Sequence, residues 1–196
     1  TAVITADRPG FVVNRLLAKV MGEAARALDE GTPLGTVEKA YAPIGLPMGP
    51  FELIDLVGWK VAAHVQDTMT GAFPERFYAS ENLHKLAELE QPLSKNKHGK
   101  VEDLSKEAKK ALSFGKSAVS EDEILRRVED GLASEIRIML DEGVVAAAED
   151  IDLCLILGAG WPFQAGGATP YLDRVGASER AAGGKFHEPP VAGTHA

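Results

Sequence analysis

The sequence predicts an all-α protein built from two tandem helical units. Three observations carry that expectation. An amphipathic helix near the start is the clearest element in the chain. A second stretch repeats it 112 residues later without a gap. No long run alternates apolar and polar residues in the way a half-buried sheet requires. The units are expected at residues 7–92 and 120–182, with a polar linker at 93–119 and a tail at 183–196.

Composition narrows the class. Of 196 residues, 45% are hydrophobic, enough to build a core. The net charge is −8 and the pI about 5.2, which argues against nucleic-acid binding through a basic surface. No apolar run approaches the roughly 18 residues of a membrane span. Thr1–Phe11 carries no basic leader followed by an apolar core. The lone Cys154 excludes an intramolecular disulfide framework. Together these predict a cytoplasmic protein. The chain begins at Thr1 without a methionine, which reads as an excised piece or a processed product.

Thr1–Ala6 is a short β-prone run that reads as an extended arm, and Asp7-Arg8-Pro9-Gly10 is a turn. The first helix is expected from Pro9 to about Glu30. At 100° per residue, Val13, Leu16, Leu17, Val20, Met21, Ala24 and Leu28 fall within about 140° of arc. Arg15, Lys19, Glu23 and Arg26 fall on the opposite side. Asn14 sits at the edge of the apolar stripe. Gly31 closes the helix.

Thr36–Ala42 reads as a short helix stopped by Pro43. Gly45-Leu46-Pro47-Met48-Gly49-Pro50 is a rigid loop. Phe51 to about Thr70 reads as one helix with Pro50 as its first residue, and Ser80–Glu90 as another. Gln91–Lys116 is polar and rich in lysine. It reads as a solvated linker with one helix near Asp103–Leu112, or as a patch for an anionic ligand. Ser120–Glu142 is a long helix, opened by a capping box of Ser120 and Glu123. Asp150–Leu157 is short and apolar, and Gly158-Ala159-Gly160-Trp161-Pro162 is a second rigid loop. Pro170–Val175 is a short helix, and Ala177–Ala182 adds a turn.

The repeat is specific. Val13–Gly31 and Leu125–Gly143 share Arg15/Arg127, Glu23/Glu135 and a final Leu-Asp-Glu-Gly. Gly45-Leu46-Pro47 answers Gly160-Trp161-Pro162, and Ile54-Asp55-Leu56-Val57-Gly58 answers Leu172-Asp173-Arg174-Val175-Gly176. It also breaks informatively. Asn14 in the first copy is Arg126 in the second.

Familiar catalytic constellations are missing. Cys154 lies in an apolar run and reads as a core residue, and His64 as a surface or packing residue. No histidine pair has metal-ligand spacing. No strand precedes a G-x-G-x-x-G, so no dinucleotide-binding domain is expected in this chain. Asn14, at a helix edge, reads as solvated or as the cap of a neighbour, or as a ligand group, since an amide donates and accepts at once and so suits a carbonyl or hydroxyl. It cannot act as a general acid or base.

Two motifs carry a resemblance. Arg8-Pro9-Gly10-Phe11-Val12-Val13-Asn14-Arg15-Leu16-Leu17, followed by the stretch from Gly45 to Gly58, resembles the C-terminal domain of L-3-hydroxyacyl-CoA dehydrogenases. Glu149-Asp150-Ile151-Asp152, Gly158–Phe163 and Tyr171–Gly176 resemble a second copy of that domain. Such tandem copies end the α subunit of multifunctional fatty-acid β-oxidation complexes. The resemblance covers about Asp7–Ala182. It implies an all-α, 6-phosphogluconate-dehydrogenase C-terminal-like fold that follows a Rossmann domain, with no Rossmann domain in this chain.

The activity implied is NAD-dependent oxidation of (3S)-3-hydroxyacyl-CoA to 3-ketoacyl-CoA. NAD and a catalytic His–Glu pair would then belong to the absent domain, and this chain alone would be inactive. Asn14 matches the family's active-site asparagine, and Pro47, Met48, Gly49, Pro50 and Phe51 become a wall for the acyl-CoA. No metal is implied. The partners implied are acyl-CoA, the upstream Rossmann domain, and a thiolase subunit or a second copy of the chain. Two departures stand out. No aromatic follows Lys95-Asn96-Lys97-His98-Gly99-Lys100 where many members carry a G-K-G-F-Y-like stretch, and Gln164–Gly167 differs from the expected P-P-F-R-G-G form. A rival reading is a non-catalytic helical module for dimerisation or partner association.

Overall fold

The computed structural model describes residues 2–187. Thr1 and residues 188–196, including His195 and most of the expected tail, lie outside the described residues. Ten helices are described: α1 Val13–Asp29, α2 Leu34–Ala40, α3 Pro50–Val57, α4 Trp59–Ala72, α5 Glu81–Ala87, α6 Lys106–Ala111, α7 Glu121–Asp141, α8 Ala148–Ala159, α9 Ala168–Arg174 and α10 Ala177–Ala181. Single 3-10 turns sit at Ala42–Ile44 and Phe163–Ala165. Strands β1 Leu93–Lys95 and β2 Val101–Leu104 pair antiparallel. Among the described residues the fold is all-α apart from this hairpin.

The two copies of the repeat face each other through α1 and α7. Their contacts are reciprocal. Arg15 donates from Nη2 to Glu142 Oε2 at 2.9 Å, and its counterpart Arg127 donates from Nη1 to Glu30 Oε2 at 2.8 Å. A Cβ at Gly45 would stand 3.4 Å from Pro162, and one at Gly160 would stand 3.8 Å from Pro47. Both helices end alike. Gly31 (φ +99°) and Gly143 (φ +65°) turn left-handed, and their amides bond to Leu28 O and Leu140 O. The next amides, of Thr32 and Val144, bond to Ala27 O and Met139 O. The repeated Leu-Asp-Glu-Gly is therefore a shared helix stop. One apolar core runs through both copies, with Leu16, Val20 and Ile54 from the first and Leu132, Ile136 and Ile151 from the second.

The charged face of α1 is largely withdrawn from solvent. Arg15 is fully buried and bonds through Nε to Glu135 at 2.5 Å. Arg76 reaches the same carboxylate at 2.5 Å, and Lys19 lies 3.7 Å from its other oxygen. Buried charge is tolerated only when paired. Here the pairing partner is the other copy. Burial pushes the Glu23 carboxyl up and the Lys19 amine down.

Several boundaries move for identifiable reasons. The first helix starts at Val13 rather than Pro9, because Gly10 (φ +75°) and Phe11 (φ +45°) are left-handed. The helix expected from Phe51 to Thr70 is two helices broken at Gly58, whose φ of +101° no helix accommodates. The expected solvated linker at 93–119 forms the hairpin, α6 and a strap on the end of α1. Along that strap Gly115 N bonds to Asp29 O at 2.6 Å, Ser117 N to Glu30 O at 2.9 Å and Val119 N to Thr32 Oγ1 at 2.9 Å. The first two amides satisfy carbonyls that a helix end leaves free, and the third bonds to a side-chain hydroxyl. The capping box at Ser120 is half made. Ser120 Oγ accepts from Glu123 N, and the Glu123 side chain pairs with Arg126 and Arg127. At the start of the chain, Ala6 N bonds to Val144 O and holds the arm against the end of α7.

Candidate functional site

The first turn of α1 is unusual in what it lacks. Its flanking residue Val12 gives no side-chain cap, and no acid lies in the first turn. Arg15 N turns back to Gly10 O at 3.2 Å and Leu16 N to Val12 O at 3.1 Å. Phe11 holds a positive φ without being glycine, a strain that costs on the order of 1–3 kcal/mol. The amides at the head of a helix carry the positive end of its dipole and usually find an acceptor.

Asn14 stands in this turn with its side chain exposed. Its amide makes no hydrogen bond to another described residue. An open cleft of about 230 Å³ lies around it, lined by Thr5, Gly10, Phe11, Val12, Val13 and Cys154 as well. Cys154 comes from α8 of the second copy, so both copies build this cleft. The sequence reading placed Cys154 in the core. The structure places it half-buried on the cleft wall, where burial and the nearby Asp150 raise its thiol pKa. The close approach of α8 explains this: a Cβ at Gly158 would stand 3.1 Å from the Val13 side chain. Only the Gly10-Phe11 pair beside Asn14 could have pointed to the cleft from sequence.

The second predicted element divides. Pro50 and Phe51 are inside the core, and Phe51 stacks on Trp59 at 6.3 Å between centroids. Pro47, Met48 and Gly49 remain at the surface, beside a groove shared with Glu38, Tyr41 and Glu52. No residue lines both this groove and the Asn14 cleft. The structure therefore does not bring Asn14 and this loop into one pocket.

The loop has a structural task that sequence reasoning missed. Glu38 Oε1 accepts from Phe51 N at 2.7 Å and so caps α3 from a distance. Gly49 is required there, since a Cβ would overlap the Glu38 carboxylate. The second copy repeats the device. Asp152 Oδ1 accepts from Thr169 N at 2.8 Å and caps α9, and a Cβ at Gly167 would overlap Asp152. Burial pushes both carboxyls up, with the capped amides pulling the other way. Neither acid is at the Asn14 cleft.

Residues 10–103 match the family described as 3-hydroxyacyl-CoA dehydrogenase, C-terminal domain. Within the first helical unit the chain is similar to that family's domain. The match begins at Gly10 in the left-handed turn and ends in β2, so nearly all of the hairpin lies within the matched residues. The chain is 33% identical over 193 residues to the fatty acid oxidation complex subunit alpha of Shewanella frigidimarina, covering 93% of this chain and 27% of that protein. It is 32% identical over 193 residues to the subunit of the same name from Pseudomonas entomophila, covering 90% of this chain and 27% of that protein. The chain thus spans about a quarter of the length of these relatives. Among solved structures it shares the fold of 3-hydroxybutyryl-CoA dehydrogenase from Escherichia coli, with a TM-score of 0.63 and 19% identity over 95% of this chain and 59% of that one.

Asn14 offers an exposed amide in a cleft. Among the described residues no group of three or more His, Cys, Asp or Glu side chains could hold a metal ion. The only sheet among them is the two-stranded antiparallel hairpin, so they form no strand–glycine loop–helix cradle for a dinucleotide. No described helix is long and apolar enough to cross a membrane. His64 is exposed on α4, in line with the surface reading.

Proposed function

We propose that the chain is the substrate-facing portion of an NAD-dependent (3S)-3-hydroxyacyl-CoA dehydrogenase of fatty-acid β-oxidation. Its substrate is an acyl-CoA, and its location is the cytoplasm. Asn14 holds the oxygen on C3 by a hydrogen bond from its Nδ2, and the uncapped first turn of α1 adds a positive end to the same place. The oxidation itself is assigned to groups outside the described residues, which do not fit NAD. These are an upstream Rossmann domain with its nicotinamide and its acid–base pair. The observation that supports the reading is the pairing of the exposed, unbonded Asn14 with an uncapped helix start inside a cleft.

The chain alone, given NADH and acetoacetyl-CoA, is expected to show no turnover. It is expected to bind acetoacetyl-CoA, and Asn14→Ala is expected to weaken that binding about two- to tenfold, the worth of one hydrogen bond. Turnover by the chain alone, or binding indifferent to Asn14→Ala, would overturn the proposal.

A second reading rests on exposed apolar side chains. Leu56, Val61, Leu157 and Phe163 are each more than half exposed. They favour an association surface for a second copy or a thiolase subunit. Light scattering after size exclusion, with and without acyl-CoA, separates the readings: a dimer indifferent to acyl-CoA favours association.

A further inference from the structure

The basic run at 95–100 has an organised structure that the proposed Asn14 chemistry does not use. It is the turn between β1 and β2. Asn96 Oδ1 accepts from His98 N at 2.9 Å and from Lys100 N at 3.1 Å, and Asn96 N donates to Lys100 O at 2.9 Å. Gly99, at φ +80°, donates its amide to Asn96 O at 2.9 Å. The turn is therefore fixed by its own backbone, and its cations do not serve to hold it.

Lys95 has a structural partner, Asp55, which also accepts from Trp59 Nε1 at 2.9 Å. Lys97, His98 and Lys100 are exposed and form no ion pair with a described residue. Glu38 feels the charge of Lys100, but its carboxylate is committed to Phe51 N. Below the turn opens a groove of about 380 Å³ lined by Met48, Glu52, Asp55, Leu56, Lys95, Gly99 and Val101. Of its two acids, Asp55 is neutralised by Lys95, and Glu52 lies 3.4 Å from Gly49 N. Three unpaired basic groups on one rigid turn are an exception in a chain of net charge −8. Phosphate groups suit such a cluster, because each oxygen accepts from an ammonium or an imidazole N–H donor.

We propose that Lys97, His98 and Lys100 bind the phosphate groups of a CoA ester whose pantetheine lies along the Met48–Leu56 groove. The proposal rests on the acyl-CoA reading above and assigns the phosphate end of that ligand. The same phosphate chemistry is presented by an anionic lipid surface, so the test carries both.

The test uses the full chain at about 0.01 M salt, where screening reaches about 30 Å. Calorimetric titration compares CoA, dephospho-CoA and acetoacetyl-pantetheine, and co-sedimentation uses phosphatidylcholine vesicles containing phosphatidylglycerol. The variants are K97E/K100E and K97Q/K100Q, both at exposed positions, with circular dichroism as the folding check. CoA is expected to bind the native chain, at least about tenfold more weakly after charge reversal and to an intermediate degree after neutralisation. Dephospho-CoA is expected to bind more weakly than CoA, and acetoacetyl-pantetheine to ignore both variants. A CoA affinity unchanged by K97E/K100E overturns the inference, as does hairpin-dependent binding of vesicles without binding of CoA. If the hairpin governs CoA binding while the acetoacetyl group adds no affinity that Asn14→Ala removes, the phosphate site stands and the dehydrogenase reading falls. If Asn14 matters and the hairpin does not, the reverse holds.

Discussion

α1 and α7 are copies of one helix put to different uses. They share the Arg and Glu positions that bind them together, and the same Leu-Asp-Glu-Gly stop. They differ at the start. α7 opens on Ser120, whose Oγ accepts from Glu123 N, and has three acids in its first turn. Arg126 then pairs with Glu123 and Asp130 on its own helix. α1 opens on a strained left-handed pair, with no cap and no acid, and Asn14 makes no bond to a described residue. The copy that satisfies its own helix start has nothing left to offer a ligand. The copy without a side-chain cap at its start has the exposed Asn14 on the wall of a cleft.

The comparison can be broken first at its hinge. Glu135→Gln leaves Arg15 buried without its full counter-charge, and a loss of about 3–5 kcal/mol is expected in urea unfolding. Arg127→Ala, at the counterpart of Arg15 on the more exposed edge, is expected to cost no more than about 1 kcal/mol. Equal costs would show that the two sides of the interface are alike in energy as well as in geometry. Next come the glycines under the distant caps. Gly49→Ala and Gly167→Ala each push a methyl into a carboxylate, at about 1–3 kcal/mol. Gly167 is expected to suffer more, since its φ of +120° is strained for alanine. Smaller again is Ser120→Ala, which removes the α7 cap for about 1 kcal/mol. The matching change before α1 has no cap to remove.

A pH series sharpens the contrast between the half-buried Glu23 and the buried Glu135. The folded state holds Glu23 above its usual pKa, mainly by burial, so ionisation opposes folding there. Its unfavourable contribution is complete above the raised folded value. It is relieved as pH falls through that value toward the ordinary 4.5. Glu23→Gln is therefore expected to leave neutral-pH stability unchanged or higher, the opposite of Glu135→Gln. A large loss would show that Glu23 is held by a charge partner rather than stranded by burial.

The apolar half of this fold was legible. The stripe of Leu16, Val20, Ala24 and Leu28, the repeated helix stop and the glycine–proline loops are local patterns, and the structure keeps them. What stayed hidden depends on residues far apart in sequence. Arg15, Lys19 and Glu23 look like a solvent face until Glu135 arrives from the other copy. Gly49 and Gly167 look like flexible loop residues until Glu38 and Asp152 occupy the space above them. Gly58 is invisible to periodicity, because the apolar pattern continues across the break. The hairpin at 93–104 has too few apolar residues to signal strands, although Asn96 and Gly99 are good turn residues. At the candidate site Asn14 was legible only through the repeat and the family motif. Cys154 was not, because an apolar run gives no sign of which of its residues reaches an edge.

The central claim is that Asn14, and not its twin, meets the substrate. The most direct measurement is acetoacetyl-CoA affinity of Asn14→Ala and Arg126→Ala beside the native chain, with unfolding curves for each. The account predicts a two- to tenfold loss, about 0.5–1.5 kcal/mol, for Asn14→Ala alone, with stability within about 0.5 kcal/mol of native. Equal affinities for all three chains, or a loss confined to Arg126→Ala, would contradict it.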